Sequence, residues 1–421
     1  MVRNIVILGG NSHKHLVENV CNHLGIPPGK ITLSKFSVGE TRVEIEESVR
    51  GKDVFVIQSG GGKVNDHFME LLITISACKT ASATRVTAVL PLFPYSRQPD
   101  IPYNKLGAPL SKGVVHRQRN GAYTFDSRPQ SPNPNSAGPT EPQNLQKQLG
   151  RLQMTNGDHT KADEKRNGSD HTSTPTEPSK APYHSTAAEI TQPPKFVPQR
   201  GYRQWVAQAG TLVANLLTCA GADHVITMDL HDPQYQGFFD IPVDNLYGRH
   251  LLKKHIQFQI PAYKNAVIVS PDAGGAKRAT AIADALGVDF ALIHKERRPT
   301  QITDRQNATM MLVGDVADKT AILVDDLADT SNTITRAAKL LKKEGATMVY
   351  ALVTHGVLSG DAIDRINASH LDRVVVTNSV DQSEHARQCP KLEVLDVSSM
   401  FAEAIRRVHH GESISVLFHH N

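Results

Sequence analysis

The segment Ala321-Ile-Leu-Val-Asp-Asp-Leu-Ala-Asp-Thr-Ser-Asn-Thr-Ile334 decides the fold class. Its apolar run Ala321–Val324 reads as a buried strand, and Asp325 and Asp326 stand side by side at the C-terminal end. A polar turn follows, then a helical pattern from about Thr333 to Glu344. In an open parallel sheet, ligands bind beyond the carboxyl ends of the strands. The turn Asp329–Thr333 offers backbone N–H groups and the hydroxyls of Thr330, Ser331 and Thr333 at a helix N-terminus, which suits a phosphate. A carboxylate pair suits the hydroxyl donors of a ribose. Strand, acids and loop together predict a sugar phosphate held by both ends.

On both sides of this segment, short apolar runs alternate with amphipathic stretches. Strands are predicted at Asn4–Leu8, Asp53–Gln58, Arg85–Leu90, His224–Met228, Ala266–Val269, Phe290–Ile293, Ala321–Val324, Met348–Thr354 and Arg373–Thr377. Helices are predicted at His13–Leu24, Asp66–Ala81, Trp205–Ala220, Lys277–Leu286, Thr333–Glu344 and Ser398–Arg407. This alternation predicts an α/β fold with mostly parallel sheets. An internal echo links Leu216-Leu-Thr-Cys-Ala-Gly-Ala-Asp-His-Val225 to Leu340-Leu-Lys-Lys-Glu-Gly-Ala-Thr-Met-Val349. In each, a glycine closes a helix before a strand opens, which fits either a duplicated domain or ordinary helix-to-strand chemistry.

At 421 residues the chain has room for two domains, and 39% hydrophobic content supplies real cores. A net charge of +4 without a long basic run gives nucleic-acid binding little support. Cys21, Cys78, Cys219 and Cys389 are scattered and lack metal-ligand spacing; the first three lie in apolar helical patterns, so buried, reduced thiols and a reducing compartment are expected. The N-terminus starts directly with a strand, and no apolar run is long enough to span a bilayer, so the expectation is a cytosolic protein with no membrane partner.

From Leu106 to Arg203 the pattern dissolves into Pro, Ser, Thr, Asn and Gln, as in Arg128-Pro-Gln-Ser-Pro-Asn-Pro-Asn and Gln192-Pro-Pro-Lys. Such a stretch cannot bury enough surface to offset its ordering entropy, and disorder is expected. It interrupts the first domain between the strand ending near Leu90 and the helix starting near Trp205. The expected organisation is therefore a first domain over 1–105 and 204–260, an insertion over 106–203, and a second domain over 261–421.

Further motifs stand at predicted strand ends. Ile226-Thr-Met-Asp-Leu-His231 ends one strand with an acid and a histidine, and Val269-Ser-Pro-Asp-Ala-Gly-Gly275 ends another with Asp272. Taken alone, Asp-Leu-His favours a structural histidine. In Phe290-Ala-Leu-Ile-His-Lys-Glu-Arg-Arg298, Lys295 and Arg297 share one face of an extended chain that runs into a polar segment ending near Met310. That pattern fits solvated surface charge or a lid over a strand end. Gly274 and Gly275 permit close backbone approach to a ligand before the next helix. Phe36-Ser-Val-Gly-Glu40 and Tyr95-Ser-Arg-Gln98 carry no specific signal on their own.

Together these motifs, in this order, resemble the ribose-phosphate pyrophosphokinase family, the synthetases of phosphoribosyl pyrophosphate (PRPP). More narrowly, the chain resembles fungal subunits with a long central insertion. The resemblance covers nearly all of the chain outside 106–203 and implies two related phosphoribosyltransferase-like domains. It implies an Mg²⁺-dependent transfer from ATP to ribose 5-phosphate for nucleotide biosynthesis, giving PRPP and AMP. By this resemblance Asp325, Asp326, Asp329, Thr330, Ser331, Asn332 and Thr333 hold ribose 5-phosphate, and His231 and Asp272 contact Mg²⁺. Asp229 is implied as an outer ligand. Asp240 and Asp244 belong to the family's cation signature, with a structural or interface role favoured. Lys295 and Arg297 stabilise the transferring group, and Phe36, Val38, Glu40, Arg97, Gln98 and His231 face ATP. The resemblance also implies homo- or hetero-oligomers of paralogous subunits, with sites completed at subunit interfaces.

The chain departs from the family pattern at several positions. Val38 replaces an Asp or Asn and cannot accept a hydrogen bond from adenine; Pro99-Asp-Ile-Pro102 replaces a basic stretch. Asn332 stands where glycine is usual, a change eased by asparagine's tolerance of left-handed backbone. These departures keep open a regulatory or scaffolding subunit with little activity alone. A phosphoribosyltransferase that consumes PRPP shares the Asp-Asp loop, but does not predict the His294–Arg297 and Asp229–His231 motifs.

Overall fold

In the computed structural model the described residues are 4–97, 209–296 and 309–418. The chain opens with β1 (Ile5–Gly9) and α1 (Lys14–Leu24), followed by an antiparallel hairpin of β2 (Ile31–Lys35) and β3 (Thr41–Ile45). Next come β4 (Asp53–Ile57), α2 (Val64–Thr80), β5 (Arg85–Leu90), α3 (Ala209–Ala220), β6 (His224–Met228) and β7 (Val243–Leu246). Strands β1, β4, β5, β6 and β7 lie in that order in one sheet, with every neighbour parallel. Helix α4 (Arg249–Gln259) leads to β8 (Ala266–Ser270), α5 (Ala276–Leu286), β9 (Asp289–Glu296) and β10 (Thr309–Val313). There follow β11 (Thr320–Ala328), α6 (Asn332–Lys343), β12 (Met348–Gly356), α7 (Ala362–Asn367), β13 (Arg373–Thr377), α8 (Ser383–Gln388), β14 (Leu392–Leu395) and α9 (Ser398–His410). The second sheet runs β10-β9-β8-β11-β12-β13-β14; β10 pairs antiparallel with β9 and the remaining pairs are parallel.

The parallel strands are runs such as Val54–Ile57 and Val374–Val376, buried on both faces, because crossover helices cover each side. On one face of the first sheet, Leu16 and Val20 of α1 and Phe401 and Ile405 of α9 pack on Ile7, Phe55, Val89 and Ile226. On the other, Phe68, Leu71 and Ile75 of α2 and Val213 and Leu217 of α3 pack on Val54, Val56, Val86 and Ala88. The second sheet repeats the plan. Helices α4 and α5 cover Ile268, Ile322 and Leu352 on one face, and α6 and α7 cover Val269, Leu323 and Ala351 on the other. Gly221 (φ 106°) and Gly345 (φ 94°) make the turns from α3 into β6 and from α6 into β12, a backbone region that L side chains resist.

The α/β architecture with mostly parallel sheets is borne out. The β2–β3 hairpin was not expected: its alternation is one-sided, with Ile31, Leu33, Val43 and Ile45 half-buried between exposed polar residues. Strand β11 runs further than predicted, through the acid pair to Ala328. Helix α4 also went unpredicted, because only Leu252, His255 and Ile256 are buried among charged neighbours. Among the cysteines, Cys21, Cys78 and Cys389 are buried thiols, whereas Cys219 is exposed on α3 rather than buried as expected. The expected insertion over 106–203 lies outside the described residues.

Candidate active site

A cavity of about 690 Å³ opens where β8 and β11, neighbours in the second sheet, reach their carboxyl ends. Its walls include Asp272, Gly275 and Arg278 from the β8–α5 side, Asp325 and Asp326 from β11, the loop Asp329–Thr333, and His231 from the turn after β6. Arg97 reaches it from the chain after β5. A strand end places acids here because strand geometry carries the chain directly out of the core into a ligand crevice.

The acid pair organises one wall. Asp326 accepts from the Arg278 guanidinium at 2.9 Å and pairs with His231 Nδ1 at 2.6 Å, so His231 and Arg278 grip its two oxygens separately. The Asp326 backbone N–H donates to Asp325 Oδ1 at 2.9 Å. Burial and the adjacent Asp326 charge push the Asp325 carboxyl up to about 8. Burial pushes Asp326 in the same direction, but the His231 bond and the Arg278 charge outweigh it and hold its carboxyl below the usual range. The bond to Asp326 raises His231 in turn, against the opposing effect of its own burial. Asp272 Oδ1 accepts from the Gly275 N–H at 3.1 Å, closing the turn into α5.

The loop after β11 is cradled from outside. Arg97 and Ser359 both bond the Asp329 carboxylate, and Arg365 donates to the Thr330 carbonyl at 2.7 Å. Ser331 adopts a left-handed backbone (φ 59°) as it enters α6, so the left-handed residue is Ser331, and Asn332 opens the helix. The Ser331 hydroxyl is buried in the loop and has no hydrogen-bond partner among the described residues. An unsatisfied buried hydroxyl at a helix N-terminus is suited to receive a phosphate oxygen.

The structure thus brings together His231, Asp272, Asp325, Asp326, Arg97 and Asp329–Thr333. Asp229, Asp240 and Asp244 do not line this cavity. Asp229 spends one oxygen on the Gly248 N–H (3.0 Å) and the Thr354 hydroxyl (2.6 Å), and Asp244 pairs with His224 at 2.8 Å. Phe36, Val38 and Glu40 form the exposed tip of the β2–β3 hairpin, where the Glu40 carbonyl accepts from the Phe36 N–H at 2.9 Å. Lys295 lies near the end of β9, while Gln98 and Arg297 lie outside the described residues. Sequence reading missed Arg278 and Arg365. The signal for Arg278 was the basic pair Lys277-Arg278, one residue after Gly-Gly at a helix start; Arg365 reaches the loop from α7, and no local pattern announces it.

Among the described residues no three His, Cys, Asp or Glu side chains form a metal cage. Asp272 and His231 both line the cavity, and the single Asp272 carboxylate fits Mg²⁺, which takes one or two carboxylates beside phosphate and water.

Comparison with known proteins agrees along the chain. Residues 5–119 match the N-terminal domain of ribose phosphate pyrophosphokinase, and residues 299–419 match the phosphoribosyl synthetase-associated domain. The chain is 50% identical over 420 residues to ribose-phosphate pyrophosphokinase 5 of Schizosaccharomyces pombe, covering 100% of this chain and 99% of that protein. Its fold superposes with a TM-score of 0.68 on the crystal structure of phosphoribosylpyrophosphate synthetase from Mycobacterium smegmatis, at 31% identity, over 97% of this chain and 100% of the other.

Proposed function

The chain belongs to the ribose-phosphate pyrophosphokinase family, and we propose that it transfers the diphosphoryl group of ATP to O1 of ribose 5-phosphate, giving PRPP and AMP. The observation that carries this reading is one cavity faced by the Asp325–Asp326 pair, the Asp329–Thr333 loop, His231 and Asp272. The ribose 5-phosphate group docks in the loop, where the buried Ser331 hydroxyl and the first N–H groups of α6 receive it. The acid pair meets the ribose hydroxyls. O1 then attacks the β-phosphorus in line; the O1–Pβ bond forms and the bond from Pβ to the oxygen bridging the α-phosphorus breaks. AMP leaves with that oxygen, and the O1 proton passes to solvent.

Such transfers rely on positioning and charge stabilisation. Arg278 and His231 fix Asp326, so the ribose side of the cavity is preset. Asp272 and His231 are the residues that would face Mg²⁺ carried on the triphosphate, where the ion supplies charge neutralisation at the phosphates. Lys295 and Arg297 are assigned to the transferring group. Phe36, Glu40 and Arg97 are assigned to the nucleotide. The hairpin tip is not among the residues that line this cavity, which supports assigning its nucleotide contacts to the site of a second subunit. We place the enzyme in the cytoplasm, within an assembly of like or paralogous chains.

Val38 favours a second reading. It is 78% exposed at the hairpin tip and offers adenine no hydrogen bond. A subunit that turns over poorly alone but completes a complex fits that feature. The test measures AMP and PRPP from ATP, ribose 5-phosphate and Mg²⁺, with the chain alone and with a paralogous subunit. Lys295→Ala is expected to lower turnover by about 100-fold or more while leaving assembly intact. Unchanged turnover in Lys295→Ala assemblies would make the chain a scaffold.

A further inference from the structure

His355 lies on β12 directly opposite Leu327 of β11, the residue after Asp326. Its side chain points across to the first sheet. Nε2 sits 3.0 Å from the Met228 carbonyl and 3.3 Å from the Asp229 carbonyl, at the end of β6. Nδ1 sits 2.8 Å from the Ser379 hydroxyl. His355 is 2% exposed, so these contacts are dry.

The partners dictate its form. Two carbonyl oxygens face Nε2, so that nitrogen carries the proton and donates. Nδ1 then accepts from the Ser379 hydroxyl. Burial keeps the ring neutral by lowering its affinity for a second proton, although the nearby Asp229 and Asp326 charges oppose this.

The surrounding contacts follow the same path. Thr354, the preceding residue, bonds the Asp229 carboxylate at 2.6 Å, and the Ser59 hydroxyl donates to the Ser379 carbonyl at 2.6 Å. Asp229 itself holds a left-handed backbone (φ 37°), which a non-glycine residue keeps only when its neighbours hold it there. Two residues on, His231 meets Asp326. The strand that carries His355 thus pairs with the strand that carries Asp326, while the His355 ring holds the segment that carries His231.

We infer that His355 is a positioning residue: its Nε2–H clamps the Met228 and Asp229 carbonyls and so sets His231 against Asp326 across the two sheets. Side-chain length separates this role from simple core filling. In His355→Gln the amide nitrogen reaches about as far as Nε2 and keeps the donor. In His355→Asn the amide ends near Nδ1, keeps Ser379 and loses both carbonyls.

The full-length protein is treated with diethyl pyrocarbonate and modification of His231 is followed by peptide mass spectrometry, after thermal melts confirm folding. His355→Asn is expected to raise the His231 modification rate about 5-fold, the scale of one lost neutral hydrogen bond. His355→Gln is expected to stay near wild type. In the synthetase assay, His355→Asn is expected to lower kcat about 10-fold, and to cost little further when added to His231→Ala, because two residues acting through one contact are not additive. This role rests on the pyrophosphokinase reading for its kinetic arm alone, since labelling needs no turnover. A folded His355→Asn with an unchanged His231 rate overturns the inference, as does full additivity with His231→Ala. Should His355→Asn fail to fold, Ser379→Ala leaves the ring in place and frees its Nδ1 side. A rise of about 2-fold is then expected, and no rise overturns the clamp.

Discussion

Asp325 and Asp326 are neighbours in sequence with opposite electrostatic fates. Asp326 is ionised because His231 and Arg278 each take one of its oxygens. Asp325 has Arg278 only at 3.9 Å, and its carboxyl is pushed up to about 8 by burial and by the charge next door. Between the ordinary carboxylate range and that value, the folded chain keeps a proton on Asp325 that the unfolded chain releases. Its contribution to stability is therefore fully present at low pH and is lost as pH rises through this window, at most about 1.4 kcal/mol per pH unit. Asp325→Asn removes the dependence. The melting temperature of the ligand-free variant relative to wild type is expected to rise between pH 5 and pH 8; an equal difference at both pH values would show that Asp325 is not held protonated. The acid pair itself was legible in sequence, since few patterns place two carboxylates at the end of an apolar run. Arg278 and the His231 contact were not, because each spans tens of residues and is set by packing.

At the scale of elements, α9 is the clearest case of tertiary choice. Its pattern of Phe401, Ile405 and Val408 announces an amphipathic helix but names no partner. It follows the last strand of the second sheet yet packs on the first, beside α1, with Phe401 fully buried among Ile7, Leu16 and Phe55. Arg85 adds a bond to the Val408 carbonyl at 3.1 Å. Phe401→Ala is expected to destabilise the protein by about 3–5 kcal/mol, read from urea unfolding. A loss under about 1 kcal/mol would mean the helix contributes little to that core. The buried parallel strands were legible because burial on both faces demands continuous apolar runs. The β2–β3 hairpin was not, because it buries only one side and its polar face reads as loop.

For the whole molecule, β5 and α3 are each packed into the core of the first sheet, through Val86, Ala88, Val213 and Leu217. Both elements bury those side chains against other described residues of the first sheet and its helices. Deleting 118–198 is therefore expected to shift the melting temperature by only a few degrees, because joining ends through a shorter loop changes closure entropy slowly. A collapse of the melting transition would show that the deleted stretch supports the fold. Net charge and composition already argued against nucleic acid, and among the described residues no helix is long and apolar enough to cross a membrane.

Local sequence carried the alternation of strands and helices, the acid pair and the Asp329–Thr333 loop at one strand end, and family membership. These are local signals, readable because each depends on residues within a few positions of one another. Only the tertiary structure decided that His231 meets Asp326, that Arg278 charges one acid of the pair and not the other, that the left-handed turn falls on Ser331, and that Asp229 bonds Thr354 instead of lining the cavity. Those outcomes depend on which strands lie side by side and how the two sheets face each other, and burial then converts that proximity into charge state.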